Sequence, residues 1–191
     1  MVEAQTCQME ELQAGLNMKK AFFACSMRGG YSSVSFEFLQ QIPQALKDMG
    51  FELASEHQTQ PDIIQKESLL PNALIYQRDI SLLKQSDTLI AEMSNPSMGV
   101  GGEITDAISL GKPVLGLYQI PQDKVSSYIL GKIEGHSKGR HAHYTDLRDL
   151  KLKIKDFINY LGWSRPSKGP LGILEPLGDA PGYYPQKPGD K

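Results

Sequence analysis

Residues 87–110 decide the fold of this chain, and their sequence is DTLIAEMSNPSMGVGGEITDAISL. The apolar run at 88–91 predicts a buried parallel strand, which a loop with Pro96 and three glycines follows. From residue 104 onwards apolar residues recur at helical spacing and predict a helix. A strand, a glycine-rich turn and a helix form the half-unit with which open α/β sheets bind nucleotides and phosphates. The glycines are Gly99, Gly101 and Gly102.

Glu103 gives this unit a reactive group. It follows the glycines directly, so we expect it in the first turn of the helix, where the helix dipole favours the ionised carboxylate. Glycines let a ligand approach the backbone closely. An ionised carboxylate beside a sugar-sized site is a candidate nucleophile. The alternative is a glutamate that suits the helix dipole and has no chemical role.

The composition is that of one globular α/β domain, with 191 residues, 40% hydrophobic and 22% charged. The net charge of -2, with the two signs mixed, does not indicate nucleic acid or an anionic membrane as a partner. Cys7 and Cys25 form no metal or disulfide pattern, which indicates free thiols in a reducing compartment. The polar start of the chain does not resemble a signal peptide, and no apolar run is long enough to span a membrane. We therefore expect a soluble protein of the cytoplasm, with the nucleus as a further location.

Outside the central unit, predicted strands and helices alternate. Further strands are predicted at 20–24, 51–54, 113–118 and 141–144. Helices are predicted from residue 36 to a stop at Gly50, with a kink or break at Pro43, and at 72–85, 125–133 and 147–161. The polar, aperiodic stretch 56–70 predicts a functional loop. The alternation predicts a Rossmann-like, doubly wound, mostly parallel five-stranded sheet with helices on both faces.

The chain divides into three predicted parts. Residues 1–18 form a flexible leader, residues 19–163 the folded domain, and residues 164–191 a Pro/Gly-rich tail that holds half of the twelve prolines. The apolar residues of the tail would let parts of it dock on the domain or on a partner.

Two loops should converge at the carboxyl edge of the sheet, near the point where the strand order reverses. The loop after the first strand offers Ser26, Arg28 and glycine amides, which suit an anion. The loop after the third strand offers Ser97, glycine amides and then Glu103. A phosphate-binding loop beside a carboxylate suggests a phosphosugar whose anomeric carbon faces the acid. For Arg28, a surface position in a turn is an equal alternative.

Other ionisable residues have alternatives that the sequence leaves open. Asp79, in the helix at 72–85, is a second acid, or else a solvated position or a local salt bridge. Glu92 ends the third strand and is equally explained as a satisfied edge residue. His57, alone in the stretch 56–70, is interpreted as incidental. The histidine-containing run at 137–143 has no carboxylate at ligand spacing, so no metal site is predicted.

Three ordered blocks carry a resemblance to a known family. They are FFACSMRGG at 22–30, YQRDISLLKQSDTLIAEMS at 76–94 and NPSMGVGGEITDAISLGKPVL at 95–115. In this order and spacing they resemble the nucleoside 2-deoxyribosyltransferase superfamily, and within it most nearly the 2'-deoxynucleoside 5'-phosphate N-hydrolase branch. The resemblance covers roughly residues 20–161, so the domain at 19–163 is expected to be a catalytic domain of this type.

The resemblance implies a retaining glycosyl transfer by two carboxylates. Glu103 would attack the anomeric carbon and form a glycosyl ester, and Asp79 would act as the general acid/base. The 5'-phosphate of a nucleoside monophosphate would be held by both loops and by Ser127 of a neighbouring subunit, in the block KVSSYILGK, so a homodimer is expected. No cofactor and no metal are implied. The predicted substrate-binding residues are Phe22, Ser26, Met27, Arg28, Gly29, Gly30, Ser97, Gly99, Gly101 and Ser127.

Phe22 departs from the family, which usually has tyrosine at this position of the first strand, beside the nucleophile. Phenylalanine removes a hydroxyl and leaves room for a ribose 2'-hydroxyl, and some relatives that act on ribonucleotides resemble this chain here. The change therefore favours ribonucleotides or weakens catalysis. The expected function is hydrolysis of the N-glycosidic bond of (deoxy)ribonucleoside 5'-monophosphates. The alternatives are base exchange between deoxynucleosides and a nucleotide-binding protein without turnover.

Overall fold

The computed structural model describes residues 19–27 and 33–163, and in them five parallel strands form one sheet. The strands are β1 (Lys20–Ala24), β2 (Glu52–Leu53), β3 (Thr88–Glu92), β4 (Val114–Tyr118) and β5 (Gly139–His143). Their order in the sheet is β2-β1-β3-β4-β5, and every neighbouring pair is parallel. The predicted doubly wound sheet is confirmed.

The strand order reverses between β1 and β3. The chain leaves β1 in one direction to form β2 and then crosses back to place β3 on the other side. Ala24 is in register with Ala91, so the carboxyl ends of β1 and β3 lie side by side. This is the position at which open α/β sheets bind their ligands.

In the part of the chain that the structure describes, seven helices connect and cover the strands. They are α1 (Phe36–Leu39), α2 (Gln41–Asp48), α3 (Ile63–Ser68), α4 (Asn72–Gln85), α5 (Met98–Ser109), α6 (Ser127–Glu134) and α7 (Leu147–Tyr160). Two short 3₁₀ turns, Glu56–Thr59 and Gln122–Lys124, lie between them. Within the described ranges no helix is both long enough and apolar enough to cross a membrane.

Each face of the sheet buries its own apolar core. On one face α1, α2 and α7 contribute residues such as Leu39, Ile42 and Ile154. On the other face α4, α5 and α6 contribute residues such as Leu83 and Ile104. Neighbouring residues of one strand point to opposite faces, and so Phe22 and Phe23 belong to different cores. The prediction of helices on both faces is confirmed.

Several predicted boundaries differ from the structure. The break in the first helical region falls at Gln40, and Pro43 is the third residue of α2, where its missing N–H has no intrahelical acceptor to lose. The stretch 56–70 is a 3₁₀ turn followed by α3 rather than a loop. The predicted leader with Cys7 and the predicted tail lie outside the described residues.

Candidate active site

A cleft of about 900 Å³ opens at the carboxyl edge of the sheet. It lies where β1 and β3 end and is bounded by the N-terminal parts of α5 and α6, with Gln58 of the first 3₁₀ turn on its wall. The size and position are typical of a small-molecule site in an open α/β sheet.

The structure brings five of the predicted site residues together on this cleft. They are Met27, Ser97, Gly99, Gly101 and Glu103. Phe22 and Ser26 are fully buried and do not line it, and Phe22 is part of the core beneath α5. Ser127 is exposed and does not line it either, although both of its chain neighbours do. Arg28, Gly29 and Gly30 lie outside the described residues.

The glycines near residue 100 are helical, which corrects the prediction of a glycine-rich loop. Ser97 is the N-cap of α5, and its side chain accepts a hydrogen bond from the N–H of Val100 at 3.3 Å. The helix therefore begins at Met98, and all three glycines lie within its first two turns. Packing of its apolar face in the core outweighs the low helix propensity of glycine.

Glu103 is consequently the sixth residue of α5, and the prediction that the helix N-terminus keeps it ionised is wrong. The favourable effect of the dipole is confined to the first turn of a helix. Burial raises the pKa of Glu103 to about 8, and the negative charge of Asp79 adds to the increase. The hydrogen bond from Gln58 opposes these effects only in part. Below that pH the carboxyl group of Glu103 holds a proton in the ligand-free protein.

Asp79, in contrast to Glu103, is held in the ionised state. Burial raises the pKa of its carboxyl, but His57 and Arg78 outweigh burial and bring the pKa below its usual value. The Nε of Arg78 donates to Oδ1 at 2.8 Å and its Nη2 to Oδ2 at 3.2 Å, and the Nε2 of His57 lies 3.4 Å from Oδ1. The same Nη2 binds the buried Glu67 at 2.5 Å. The salt bridge that was one alternative for Asp79 is present, and it keeps Asp79 ionised.

The two carboxyl groups are contacted by consecutive residues of one 3₁₀ turn. His57 faces Asp79, and the Nε2 of Gln58 donates to the Oε1 of Glu103 at 3.2 Å. The interpretation of His57 as incidental is therefore wrong. Gln58 carries no motif, and the polarity of the stretch 56–70 was the only signal that could have drawn attention to it.

This turn is fixed to the domain at both ends. The Oγ of Ser55 accepts from the N–H of Phe23 at 2.8 Å and donates to its carbonyl at 2.7 Å. At the other end the Nε2 of Gln40 donates to the carbonyl of Thr59 at 3.1 Å. These bonds join the turn to β1 and to the start of α2, and so they fix the positions of the side chains between them.

The group His57, Glu67 and Asp79 has the composition of a metal site, with ligand atoms within 4.8 Å of one another. The guanidinium of Arg78 already binds both carboxylates of this group. Its positive charge would repel a cation at the same place. The arrangement is suited to holding Arg78 and Asp79 in position rather than to binding a metal ion.

Glu92 is fully buried in the central strand β3, so the edge position in its interpretation as a satisfied edge residue is wrong, whereas the satisfied carboxyl is confirmed. It accepts hydrogen bonds from the N–H and Oγ of Ser94 and, at 3.1 Å, from the hydroxyl of Tyr144. Burial raises its pKa. Burial, and then the charges of Glu92 and Glu103, raise the pKa of Cys25 to about 12, so this thiol is not ionised at neutral pH.

The fold and the site define an open α/β domain with a small-molecule cleft at the reversal of strand order, where the capped start of α5 and the carboxyl group of Glu103 lie. The family model described as "Nucleoside 2-deoxyribosyltransferase" matches residues 22–156. The chain belongs to this family.

Relatives and solved structures extend the comparison. The chain is 37% identical to "Putative 2'-deoxynucleoside 5'-phosphate N-hydrolase 1" of Methanosarcina mazei over 166 residues, which are 84% of this chain and 100% of that protein. It is 32% identical to the mouse 5-hydroxymethyl-dUMP N-hydrolase, with 60% of this chain and 66% of that protein covered. The solved CMP N-glycosidase of Clostridium botulinum shares the fold, with a TM-score of 0.54 and 18% identity over 73% of this chain and 99% of that one.

Proposed function

We propose that this protein hydrolyses the N-glycosidic bond of nucleoside 5'-monophosphates and releases the free base and (2-deoxy)ribose 5-phosphate. The observation that carries the proposal is the carboxyl group of Glu103 on the wall of the cleft, close enough to Asp79 for the charge of one to change the pKa of the other. The names of the two relatives, "Putative 2'-deoxynucleoside 5'-phosphate N-hydrolase 1" and "5-hydroxymethyl-dUMP N-hydrolase", support the same reaction class.

In the proposed first step a carboxylate oxygen of Glu103 attacks C1' of the sugar. The C1'–N bond breaks, its electron pair goes to the base, and Asp79 donates the proton that the departing base takes up. In the second step Asp79 removes a proton from water, and the resulting hydroxide attacks C1' of the glycosyl ester and releases Glu103. In the ligand-free protein the proton shared by the pair resides on Glu103, and so it must move to Asp79 before the attack.

The phosphate is proposed to lie at the N-terminus of α5. Ser97, Gly99 and Gly101 belong to this helix end, where the helix dipole favours an anion. Met27 and Ser26 precede the segment with Arg28, Gly29 and Gly30, which we propose as the other half of the phosphate site. Ser127 of a second subunit completes it, which requires a homodimer. An enzyme of this kind would act on the nucleotide pool of the cytoplasm or the nucleus.

The proposal is tested by measuring base release from ribo- and deoxyribonucleoside 5'-monophosphates, with the unphosphorylated nucleosides beside them. We expect release from the monophosphates alone. Glu103→Ala should abolish it and still bind nucleotide, whereas the control Ser109→Ala, at the exposed end of α5, should retain it within about twofold. Wild-type turnover by Glu103→Ala would exclude Glu103 as the nucleophile.

The same panel separates the alternative functions. Transfer of the sugar to an added second base, in preference to water, would establish base exchange. Nucleotide binding with no base release from any compound would establish a binding protein without turnover.

Phe22 is proposed to influence the choice of sugar. Its ring is fully buried in the same core as Val100 and Ile104 of α5, the helix that carries Glu103. We predict that Phe22→Tyr shifts the ratio of kcat/KM values towards deoxyribonucleotides, because the added hydroxyl would need room beneath α5 and so leave less space in the cleft beside the 2' position. An unchanged ratio between ribo- and deoxyribonucleotides would exclude this steric role.

A further inference from the structure

Gln58 has a buried acceptor that the rest of the described structure does not use. Its side chain is 2% exposed, yet it reaches the wall of the cleft beside Glu103. The Nε2 donates to Glu103, and the Oε1 has no hydrogen-bond partner among the residues that the structure describes. A buried amide oxygen without a donor is costly, so this atom points to a ligand that brings an N–H or O–H group.

The orientation of the amide follows from the chemistry of Glu103. The carboxylate must be ionised when it attacks, and an ionised carboxylate only accepts hydrogen bonds. Gln58 therefore presents its N–H to Glu103 and turns its oxygen away. The amide is held on the fixed 3₁₀ turn between Ser55 and Thr59, so the place of the amide group is set before any ligand binds, and the direction of its oxygen is set when Glu103 becomes ionised.

The geometry of a nucleotide restricts which donor can reach this oxygen. Glu103 attacks C1' in line with the departing base, so the base lies on the sugar face away from Glu103 and Gln58. An ionised phosphate offers no donor. In a ribonucleotide the 2'-hydroxyl lies on the face that Glu103 attacks, on the carbon bonded to C1'. The 2'-hydroxyl is therefore the nearest donor to the amide of Gln58, which contacts Glu103.

We infer that Gln58 is a specificity-determining residue that accepts a hydrogen bond from the ribose 2'-hydroxyl, and that the preferred substrates are ribonucleoside 5'-monophosphates. The inference rests on the proposed function and extends it by naming the sugar. A 2'-deoxynucleotide leaves the oxygen of Gln58 buried and unpaired, and sites built to bind a hydroxyl discriminate strongly against analogues without one. In retaining glycosidases hydrogen bonds to the 2-hydroxyl also strengthen in the transition state, so kcat as well as KM should respond.

The test uses four 5'-monophosphates of one base on the unaltered protein. They carry ribose, 2'-deoxyribose, 3'-deoxyribose and arabinose, the last of which has its 2'-hydroxyl on the opposite face. We expect kcat/KM for the ribonucleotide to exceed the values for the 2'-deoxy and arabino compounds by about ten-fold or more, and the 3'-deoxy compound to stay close to the ribonucleotide. Equal values for ribose and arabinose, or a preference for 2'-deoxyribose, would overturn the inference.

Gln58→Met removes both polar atoms at nearly constant length. It should reduce the ratio of ribo- to 2'-deoxyribonucleotide kcat/KM to near one. The matched control is Gln40→Met, which removes a hydrogen bond that fixes the same turn but lies away from the cleft, and it should leave the ratio unchanged. If Gln58→Met lowers both rates equally and keeps the ratio, Gln58 only positions Glu103 and the inference is wrong.

Failure of the proposed function has a different signature. If the wild-type protein releases no base from any of the compounds, the hydrolase proposal fails. The dissociation constants of the same four compounds, for wild type and Gln58→Met, then decide the role of Gln58. Equal affinities for the ribo and 2'-deoxy compounds in the wild-type protein would overturn the inference that Gln58 binds the 2'-hydroxyl.

Discussion

At the scale of single residues, the pair Glu103 and Asp79 is the feature with the clearest consequences. Arg78 and His57 stabilise the charge of Asp79, and that charge helps to keep the proton on Glu103. The pair therefore holds one proton over a wide range of pH. Nucleophilic attack and protonation of the base together need one carboxylate and one carboxylic acid, which is the same proton count.

The first prediction concerns the pH dependence of kcat/KM. Above about pH 8 Glu103 loses its proton, both carboxyl groups are charged, and no acid remains to protonate the base, so the rate should fall. The measurement runs from pH 7 to 10 to avoid titration of the substrate phosphate, whose pKa is about 6. Asp79→Asn should be slow and show no such fall. A wild-type rate that rises through pH 8 would mean that the pair is not the source of the proton.

The second prediction concerns stability. The pKa of Glu103 is raised to about 8 in the folded protein, above about 4.3 in an unfolded chain, so the folded protein binds its proton more tightly and loses stability as pH rises between these values. Glu103→Gln mimics the protonated group. Its Tm should match that of the wild type at pH 4 and exceed it at pH 8.5, where the wild-type carboxyl group has lost its proton and is buried as a charge. A difference in Tm that does not change with pH would contradict the raised pKa.

The residue types in the sequence were enough to identify Glu103 and Asp79 as candidate catalytic residues. They were not enough to predict the protonation states of the two carboxyl groups. The expected ionised Glu103 assumed a position in the first helical turn, whereas burial and the charge of Asp79 decide its pKa. Burial and the charge of Asp79 both depend on residues that are distant from Glu103 in the sequence. Gln58 and His57 are similar cases, because only the fold brings them to residues 103 and 79.

At the scale of elements, the start of α5 serves both the helix and the proposed phosphate site. The side chain of Ser97 caps this helix by accepting a hydrogen bond from the N–H of Val100. The side chain of Asp146 caps α7 in the same way by accepting from the N–H of Asp149 at 2.8 Å. Ser97→Ala and Asp146→Ala should each lose about 1 kcal/mol of stability. Only Ser97→Ala should raise KM for nucleotides, because α7 packs on the opposite face from α5 and α6. Equal KM values for the two variants, measured under conditions in which both are equally folded, would exclude a phosphate role for Ser97.

Elements with an apolar run or an apolar periodicity were predictable from sequence, and the 3₁₀ turn without either was not. The helix at Asn72–Gln85 and the strand at Lys20–Ala24 have the predicted bounds, because their apolar periodicity extends over enough residues to be recognised. The turn Glu56–Thr59 has four residues and no periodicity, and bonds from Phe23 and Gln40 hold it and the serine before it in place. The helical glycines of α5 were missed because tertiary packing outweighed local propensity.

At the scale of the whole molecule, the proposed homodimer would place Ser127 of one subunit at the cleft of the other. Ser127 is the first residue of α6 and is exposed, so Ser127→Asp should preserve the helix and repel a phosphate. We predict that Glu103→Ala and Ser127→Asp are each inactive alone and regain activity when mixed. A mixed dimer would contain one intact site, with both native residues, so an equimolar mixture should reach about a quarter of wild-type activity if subunits exchange freely.

The control for this experiment is a mixture of Glu103→Ala with Asp79→Asn. Both of these residues belong to the same subunit's site, so the mixture should show no more than the low activity of Asp79→Asn. Recovery in the control, or no recovery with Ser127→Asp under conditions where subunit exchange is demonstrated, would contradict a shared site.

The two outer strands of the sheet also limit how copies of this chain can meet. β2 presents only Glu52 and Leu53, and β5 carries Arg140, His141 and His143 among its five residues. Because β2 is short and β5 is polar, these two edge strands resist the addition of further strands. Strand addition at an edge is the usual route to fibrils and to dimers with a continuous sheet. Among the described residues, we therefore expect a homodimer to use a surface other than the sheet edges, such as the one at the start of α6 where Ser127 is exposed beside the cleft.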